Sequence, residues 1–135
     1  YRIRPEIGAI VHTHSPNATA VATLRKDVPA FHYYVAAAGG TTIRCAPYAT
    51  FGTQLLSQYV QRALEDRTAC LMANHGMVAV GETLEEAKHL AIEVEDLCGV
   101  YLNALAAGEP HILDDEEMAE VLERFKSYRK PPPRF

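Results

Sequence analysis

The chain has 135 residues, a length typical of one compact domain, and it is 48% hydrophobic and 22% charged, which excludes a disordered chain. The formal net charge is −4, and no cluster of Lys or Arg indicates a nucleic-acid partner. No apolar run reaches the ~18 residues of a membrane span, and the first residues do not form a signal peptide.

The first predicted element is a strand over 7–11, where the run Ile-Gly-Ala-Ile-Val fits a strand buried on both faces. The run is too short for periodicity alone to exclude a helix. Ser15 as N-cap and Pro16 in the first turn then predict a helix that ends near Arg25. A second strand is predicted over 41–45, before a proline that closes it.

A helix is predicted over 53–66, because apolar residues recur there at helical spacing. It is followed by two strands, 69–73 and 77–80, which the tight turn Asn74-His75-Gly76 joins as a hairpin. These two strands and the two before them supply the predicted sheet.

The last predicted elements are two helices. Thr83 and Glu86 form a capping-box pattern that opens a long helix to about Ala107. Asp114 or Asp115 caps a final helix over 116–128, and the Pro-rich end, 129–135, is expected to be a flexible tail. Strands interleaved with helices predict a layered α/β fold around a mixed sheet.

Three histidines are candidate metal ligands. His12 and His14 lie two positions apart at the end of the first strand, so their side chains project to the same side and can reach one cation at about 2.0–2.1 Å. His75 sits in the hairpin turn, with Gly76 allowing a close backbone approach or a special turn. Three His ligands leave one position open, as in catalytic zinc sites. An isolated His-x-His pair and a single turn histidine, taken separately, are more often ordinary residues.

The cysteines do not suggest a second metal site. Their number is odd and none forms a Cys-x-x-Cys pair, which argues against both a disulfide framework and a thiolate zinc site. We expect Cys45, Cys70 and Cys98 to be small buried residues in a reducing cytoplasm.

Four motifs in a fixed order resemble the class II aldolase/adducin family. They are His12-Thr13-His14, the small residues 36–40, the run Cys-Ala-Pro-Tyr-Ala-Thr-Phe-Gly-Thr at 45–53, and Asn74-His75-Gly76. The resemblance covers about 4–128 and is closest to the L-fuculose-phosphate aldolase branch. It implies a central mixed, mainly antiparallel sheet flanked by helices.

The resemblance also implies an activity. His12, His14 and His75 match the family's three zinc ligands. Members cleave a ketose 1-phosphate by a retro-aldol reaction, and the substrate favoured here is L-fuculose 1-phosphate, which gives dihydroxyacetone phosphate and L-lactaldehyde. Zinc acts as a Lewis acid that stabilises the enediolate. Alternatives are a pentulose-phosphate 4-epimerase or thiosugar-phosphate dehydratase of the same family, or a non-catalytic, adducin-like interaction module.

Four aromatic residues match further family positions. Tyr33 matches a tyrosine that reaches the neighbouring subunit's site in a homotetramer and donates a proton to the aldehyde oxygen. The alternative for Tyr33 is an aromatic strand or interface patch. Phe51 matches an aromatic residue near the cleft, although core packing would explain it as well. Phe125 and Tyr128 match a segment that covers the site, or else they end a plain amphipathic helix.

One departure limits these expectations. The family's general base is a glutamate in a Ser-Ser-Glu segment upstream of the His-x-His strand, and neither it nor the phosphate-binding loops occur here. The chain is therefore expected to be truncated, with 1–128 forming the C-terminal two-thirds of the domain. We expect this stretch alone to bind metal poorly, to be inactive, and to expose a sheet edge and apolar surface.

Overall fold

The structure is a computed structural model that describes residues 1–128, with side chains through Lys126. The tail predicted over 129–135 lies outside the described residues. The strands are β1 (Ala9–Thr13), β2 (Cys45–Ala46), β3 (Ala69–Met72) and β4 (Gly76–Gly81). The helices are α1 (Pro16–Thr23), α2 (Gln54–Ala63), α3 (Leu84–Ala107) and α4 (Asp115–Tyr128), with a 3-10 helix at Tyr33–Ala38. Within this described part, no helix is both long and apolar enough to cross a bilayer.

The four strands form one mixed sheet in the order β1-β4-β3-β2. Strand β4 pairs antiparallel with both β1 and β3, whereas β2 pairs parallel with β3. The expected layered α/β fold, with a mixed, mainly antiparallel sheet flanked by helices, is confirmed. In the β1–β4 register, Ile10 lies opposite Val80 and His12 lies opposite Val78.

Two apolar clusters fill the two faces of the sheet. The larger one joins the sheet to α1 and α3 through residues such as Val21, Leu71 and Val94. The smaller one joins the other face to α2 and includes Met72 and Val80. Full burial of such side chains stabilises a fold by about 1.5–3 kcal/mol each, so these clusters fix the positions of the helices on the sheet.

Helix α2 covers only part of its face of the sheet. Side chains alternate along a strand and cross-strand partners share a face, so Ile10 and His12 point to the same face as Val78 and Val80. An apolar cleft of about 930 Å³, here called the α2 cleft, lies between these residues and α2. Ile10 is consequently 43% exposed, and β1 forms one edge of the sheet.

The strand predicted over 41–45 is wrong in its extent, because only Cys45–Ala46 pair with β3. Ile43 instead forms an isolated bridge with Val28, and the N–H of Cys45 donates to Asp27 Oδ1. The segment divides its backbone hydrogen bonds among different partners, so no single ladder extends along it.

The aromatic strand considered for Tyr33 is also wrong. The segment begins a 3-10 helix in which the N–H of Tyr34 donates to His32 Nδ1, the N-cap side chain, at 3.2 Å. Gly39 ends this helix with φ 95°, a left-handed conformation that glycine adopts without steric cost. The alanines between them are buried, as the small-residue run suggested.

Helix α1 begins where Ser15 and Pro16 predicted, but Ser15 does not cap it, since its side chain accepts no backbone N–H. Glu95 of α3 does so instead. Its carboxylate accepts the N–H groups of Asn17 and Ala18 at 2.9 and 2.8 Å. The strand-to-helix turn after the histidine pair is therefore held by a residue distant in sequence.

The helix starts predicted for α3 and α4 are confirmed in their capping residues. The Thr83 hydroxyl accepts the N–H of Glu86 at 3.2 Å. At α4, Asp114 rather than Asp115 is the cap, because its carboxylate accepts the N–H groups of Glu116 and Glu117.

Candidate metal centre

Three imidazole rings lie close together, and two of them, those of His12 and His75, line the α2 cleft. The ring centroids of His12, His14 and His75 are 4.9–5.0 Å apart, and one ligand nitrogen from each lies within 4.8 Å of the others. His12 and His14 project to the same side of β1, as their spacing predicted. These three side chains could hold a metal ion.

A backbone hydrogen bond orients the His12 ring. Its Nδ1 lies 2.8 Å from the carbonyl oxygen of Met77, so Nδ1 carries the proton and Nε2 keeps a lone pair for a ligand. His12 Nε2 lies 3.1 Å from His14 Nε2. Two nitrogens bound to one tetrahedral zinc lie about 3.3–3.4 Å apart, so the observed spacing suits a shared cation.

The β3–β4 turn presents His75. The His75 N–H donates to the carbonyl of Met72 at 3.0 Å, and Asn74 has φ 54°. The special backbone conformation therefore falls on Asn74 and not on Gly76. A Cβ at Gly76 would overlap the carbonyl oxygen of Thr13 and lie 3.0 Å from the His14 ring, so glycine is required for the close approach of β4 to the histidine pair.

The environment of His75 favours its neutral form. Burial lowers its pKa below the ordinary value, and the neighbouring His12 and His14 lower the pKa further by electrostatic repulsion. Neutral imidazoles are the form that binds divalent cations. Among the described residues, no carboxylate or thiol joins this cluster, so it offers three nitrogens and leaves the remaining coordination positions open.

Among the described side chains, the rings of Tyr33, Phe51 and Phe125 do not pack on His12, His14 or His75 of the same chain. Tyr33 is 51% exposed and stacks on His32, with ring centroids 4.8 Å apart. Phe51 is 80% exposed, so the alternative of core packing is wrong; the next residue, Gly52, lines the α2 cleft. The functional roles predicted for Tyr33 and Phe51 stay predictions.

The two predicted covering residues lie on α4. Phe125 packs edge-on against Tyr34 at 5.4 Å and lines a separate cavity that includes His89. The Tyr128 side chain lies outside the described residues. Their role as a cover over the site also stays a prediction.

Comparison with known proteins identifies the family. Residues 1–102 match the family described as Class II Aldolase and Adducin N-terminal domain. The chain belongs to the class II aldolase and adducin family. A solved structure described as L-fuculose 1-phosphate aldolase superposes with a TM-score of 0.89 at 44% identity, covering 93% of this chain and 59% of that one.

Two aldolases from bacteria are similar to this chain along nearly its whole length. The chain is 54% identical to the 5-methylthioribulose-1-phosphate/5-deoxyribulose-1-phosphate aldolase of Rhodospirillum rubrum, over 93% of its own length and 57% of the relative's. It is 51% identical to the L-fuculose phosphate aldolase of Escherichia coli, over 95% and 60% of the two lengths. The chain thus spans less than two-thirds of these relatives.

Two contacts that support the segments around this histidine cluster were missed by sequence reasoning. Glu95 holds the start of α1, and Arg25 contacts the side chain of Asn74 beside His75. No local sequence pattern predicts the contacts of Glu95, because its partners are distant in sequence. Arg25 had a weak signal, since it follows a helix end where glycine or asparagine is usual.

Proposed function

We propose that the full-length protein is a metal-dependent aldolase that cleaves a ketose 1-phosphate to dihydroxyacetone phosphate and an aldehyde. The observation that carries the proposal is the convergence of three imidazoles from β1, its end and the β3–β4 turn, with coordination positions left open for substrate oxygens. L-fuculose 1-phosphate, giving L-lactaldehyde, is the first candidate substrate. The 51% identity with the L-fuculose phosphate aldolase of Escherichia coli supports it.

A second candidate substrate class is a 5-deoxy or 5-methylthio pentulose 1-phosphate. The 54% identity with the Rhodospirillum rubrum aldolase named for these substrates favours it. Both candidates release dihydroxyacetone phosphate, so they differ only in the aldehyde. The observed relatives are thus consistent with one reaction and more than one aldehyde side chain.

The donor set fits zinc, because three neutral imidazole nitrogens with an open position are typical of catalytic zinc sites, although cobalt or manganese could also bind. His12, His14 and His75 would hold the ion. When bound, zinc supplies Lewis-acid polarisation of the substrate's oxygen atoms. The Met77 carbonyl fixes His12 in the tautomer that presents Nε2.

Tyr33 is proposed to act in a neighbouring subunit of a homotetramer, where its phenol would donate a proton to the aldehyde oxygen. Its 51% exposure supports a contact with a second copy. Phe51 is proposed to border the substrate, and Phe125 with Tyr128 to cover it. Three free cysteines support a reducing, cytoplasmic location.

The activity is tested on purified full-length protein. We expect bound zinc by elemental analysis, and release of dihydroxyacetone phosphate from L-fuculose 1-phosphate, 5-deoxyribulose 1-phosphate or 5-methylthioribulose 1-phosphate, measured by a coupled reduction assay. Bound metal without this product from any of the three would reject the aldolase and favour the epimerase or dehydratase. A folded protein without metal would favour the adducin-like module.

Variants separate the metal ligands from other histidines. Alanine at His12, His14 or His75 should lower zinc content and activity by at least about 100-fold, since each removes a ligand. His89→Ala is the matched control, because His89 is exposed and contacts only Glu93 of its own helix among the described ion pairs. An equal loss in His89→Ala would contradict the assignment.

The contribution of Tyr33 from a second subunit is tested by mixing variants. Tyr33→Phe should lower kcat by about 10²–10⁴-fold without changing zinc content, since only a proton donor is removed. His75→Ala should be inactive for lack of metal. Co-refolded mixtures of the two should regain activity, because some sites then combine an intact metal centre with an intact tyrosine. No recovery in verified mixed oligomers would reject a tyrosine donated between subunits.

A further inference from the structure

Arg25 has an unusual backbone for an arginine. It follows the C-cap residue of α1, Leu24, and has φ 53°, in the left-handed region that glycine or asparagine usually occupies after a helix. Its N–H donates to the carbonyl of Ala22 at 3.2 Å, which ends the helix. Glycine would adopt this backbone with less strain, but it could not make the contacts that the arginine side chain makes.

The Arg25 side chain joins two other segments. Its Nε donates to Oδ1 of Asn74 at 2.6 Å, and its guanidinium carbon lies 5.5 Å from the centre of the Tyr48 ring. A guanidinium can hydrogen-bond at its edge while its face packs on an aromatic ring, which a lysine ammonium cannot do. We call Arg25, Asn74 and Tyr48 the Arg25 clasp.

The Arg25 clasp holds Asn74, the residue next to the proposed metal ligand His75. Asn74 directly precedes His75 and is itself left-handed, with φ 54°. Its N–H donates to the Ala22 carbonyl at 3.2 Å, so both its backbone and its side chain are tied to the end of α1. The same helix begins two residues after His14. Helix α1 therefore connects the two parts of the histidine cluster.

We propose that Arg25 is a positioning residue that holds the Asn74–His75 turn in the conformation needed for metal binding. The inference rests on the proposed metal site. Metal ligation tolerates ligand distances only within about 0.2 Å, so a turn that samples other conformations binds metal more weakly. Through Tyr48, the clasp also attaches the loop that carries Phe51 and Gly52 to the same turn.

The test separates positioning from folding by using glycine variants. Arg25→Gly removes the side chain and suits the left-handed backbone, so the metal-free protein should melt at or above the wild-type temperature. Its zinc Kd, measured by competition with a chelator in full-length protein, should rise about 10-fold, within the range for groups that orient ligands. Asp66→Gly is the matched control, because Asp66 also has positive φ (54°) and is outside the clasp.

Three further measurements make the result decisive. Asn74→Gly should weaken zinc binding to the same extent as Arg25→Gly, and the double variant should be no more than about twofold weaker still, since the two residues act as one unit. Hydrogen exchange at residues 74–76 of the metal-free protein should be faster in Arg25→Gly. Arg25→Lys should bind zinc more tightly than Arg25→Gly but more weakly than wild type.

The outcomes distinguish the clasp from the metal site. Wild-type zinc affinity and unchanged exchange in Arg25→Gly would overturn the inference, as would full additivity with Asn74→Gly. An equal loss of zinc affinity in Asp66→Gly would overturn it as well. If the wild-type protein itself fails to bind zinc, the proposed metal site falls, and the inference falls with it.

Discussion

Replacing Glu95 by alanine tests how the turn between the histidine pair and α1 is held. The Glu95 carboxylate accepts the N–H groups of Asn17 and Ala18 at 2.9 and 2.8 Å, and the Ser15 hydroxyl also hydrogen-bonds to it. Glu95→Ala would leave two N–H groups of the first helical turn without this acceptor, and Ala18 is fully buried.

The expected loss follows from these bonds. A hydrogen bond to a charged group contributes about 1.5–3 kcal/mol, and loss of a helix cap costs about 0.5–2 kcal/mol. Because Glu95 is only partly buried, water can replace part of what is lost, so we expect Glu95→Ala to lower the free energy of unfolding by about 2 kcal/mol. Glu95→Gln keeps one acceptor oxygen and should lose about half as much.

Urea denaturation of the metal-free protein, followed by circular dichroism, measures these differences. Glu93→Ala is the control, because Glu93 contacts only the exposed His89 among the described ion pairs and should change stability by less than about 0.5 kcal/mol. A Glu95→Ala protein as stable as wild type, or a Glu93→Ala protein equally destabilised, would refute the reasoning.

The loss of stability in Glu95→Ala should also depend on pH. Burial works to raise the pKa of Glu95, but hydrogen bonds from Ser15, Ala18 and Asn17 outweigh it and hold the pKa below its ordinary value of 4.5. A carboxyl group whose pKa is lower in the folded chain adds stability above pH 4.5, and this stability is lost as the pH falls through the folded-state pKa. The difference between wild type and Glu95→Ala should therefore shrink below that pH.

Two further predictions concern glycines and thiols. Gly76→Ala should lower the free energy of unfolding by about 1–3 kcal/mol, because its Cβ would overlap the backbone of β1. Gly99→Ala would meet a movable side chain, so it should be neutral or stabilising by up to about 1 kcal/mol. Equal losses of stability in urea denaturation would contradict this steric argument. Burial raises the pKa of Cys45 to about 11 and of Cys70 and Cys98 to about 12. Iodoacetamide should therefore leave the native thiols unmodified at about pH 8. Rapid labelling of the native protein, detected by mass spectrometry, would contradict the burial of these thiols. Because unfolded thiols titrate near 9.0, the folded chain binds more protons than the unfolded chain above that pH, so its stability should fall as the pH rises.

The strongly periodic elements could be predicted from the sequence, because a helix such as α3 carries its capping box and apolar spacing locally. The alternation of side chains was likewise enough to place His12 and His14 on one side of a strand. That His75 joins them depends on β4 pairing with β1, which is a long-range contact. Only the family resemblance, and no local pattern, predicted that convergence.

The missed features also depend on long-range contacts. Strand β2 is short because Asp27 and Val28 take hydrogen bonds that a longer ladder would use. Glu95 replaces Ser15 as the cap of α1 because α3 packs across the start of that helix. Local propensity gives no information on either contact, since the partners meet only once the layers are assembled.

Because His12 Nδ1 bonds to the Met77 carbonyl, the orientation of this proposed metal ligand depends on the register between β1 and β4. A slip of β1 by one residue along β4 would turn His12 toward the α3 layer and bring Val11 or Thr13 to the α2 face. Such a chain would keep much of its backbone hydrogen bonding and yet lose the nitrogen triad. Zinc content would then count the fraction of molecules in which the first strand has aligned correctly, information that circular dichroism alone would miss.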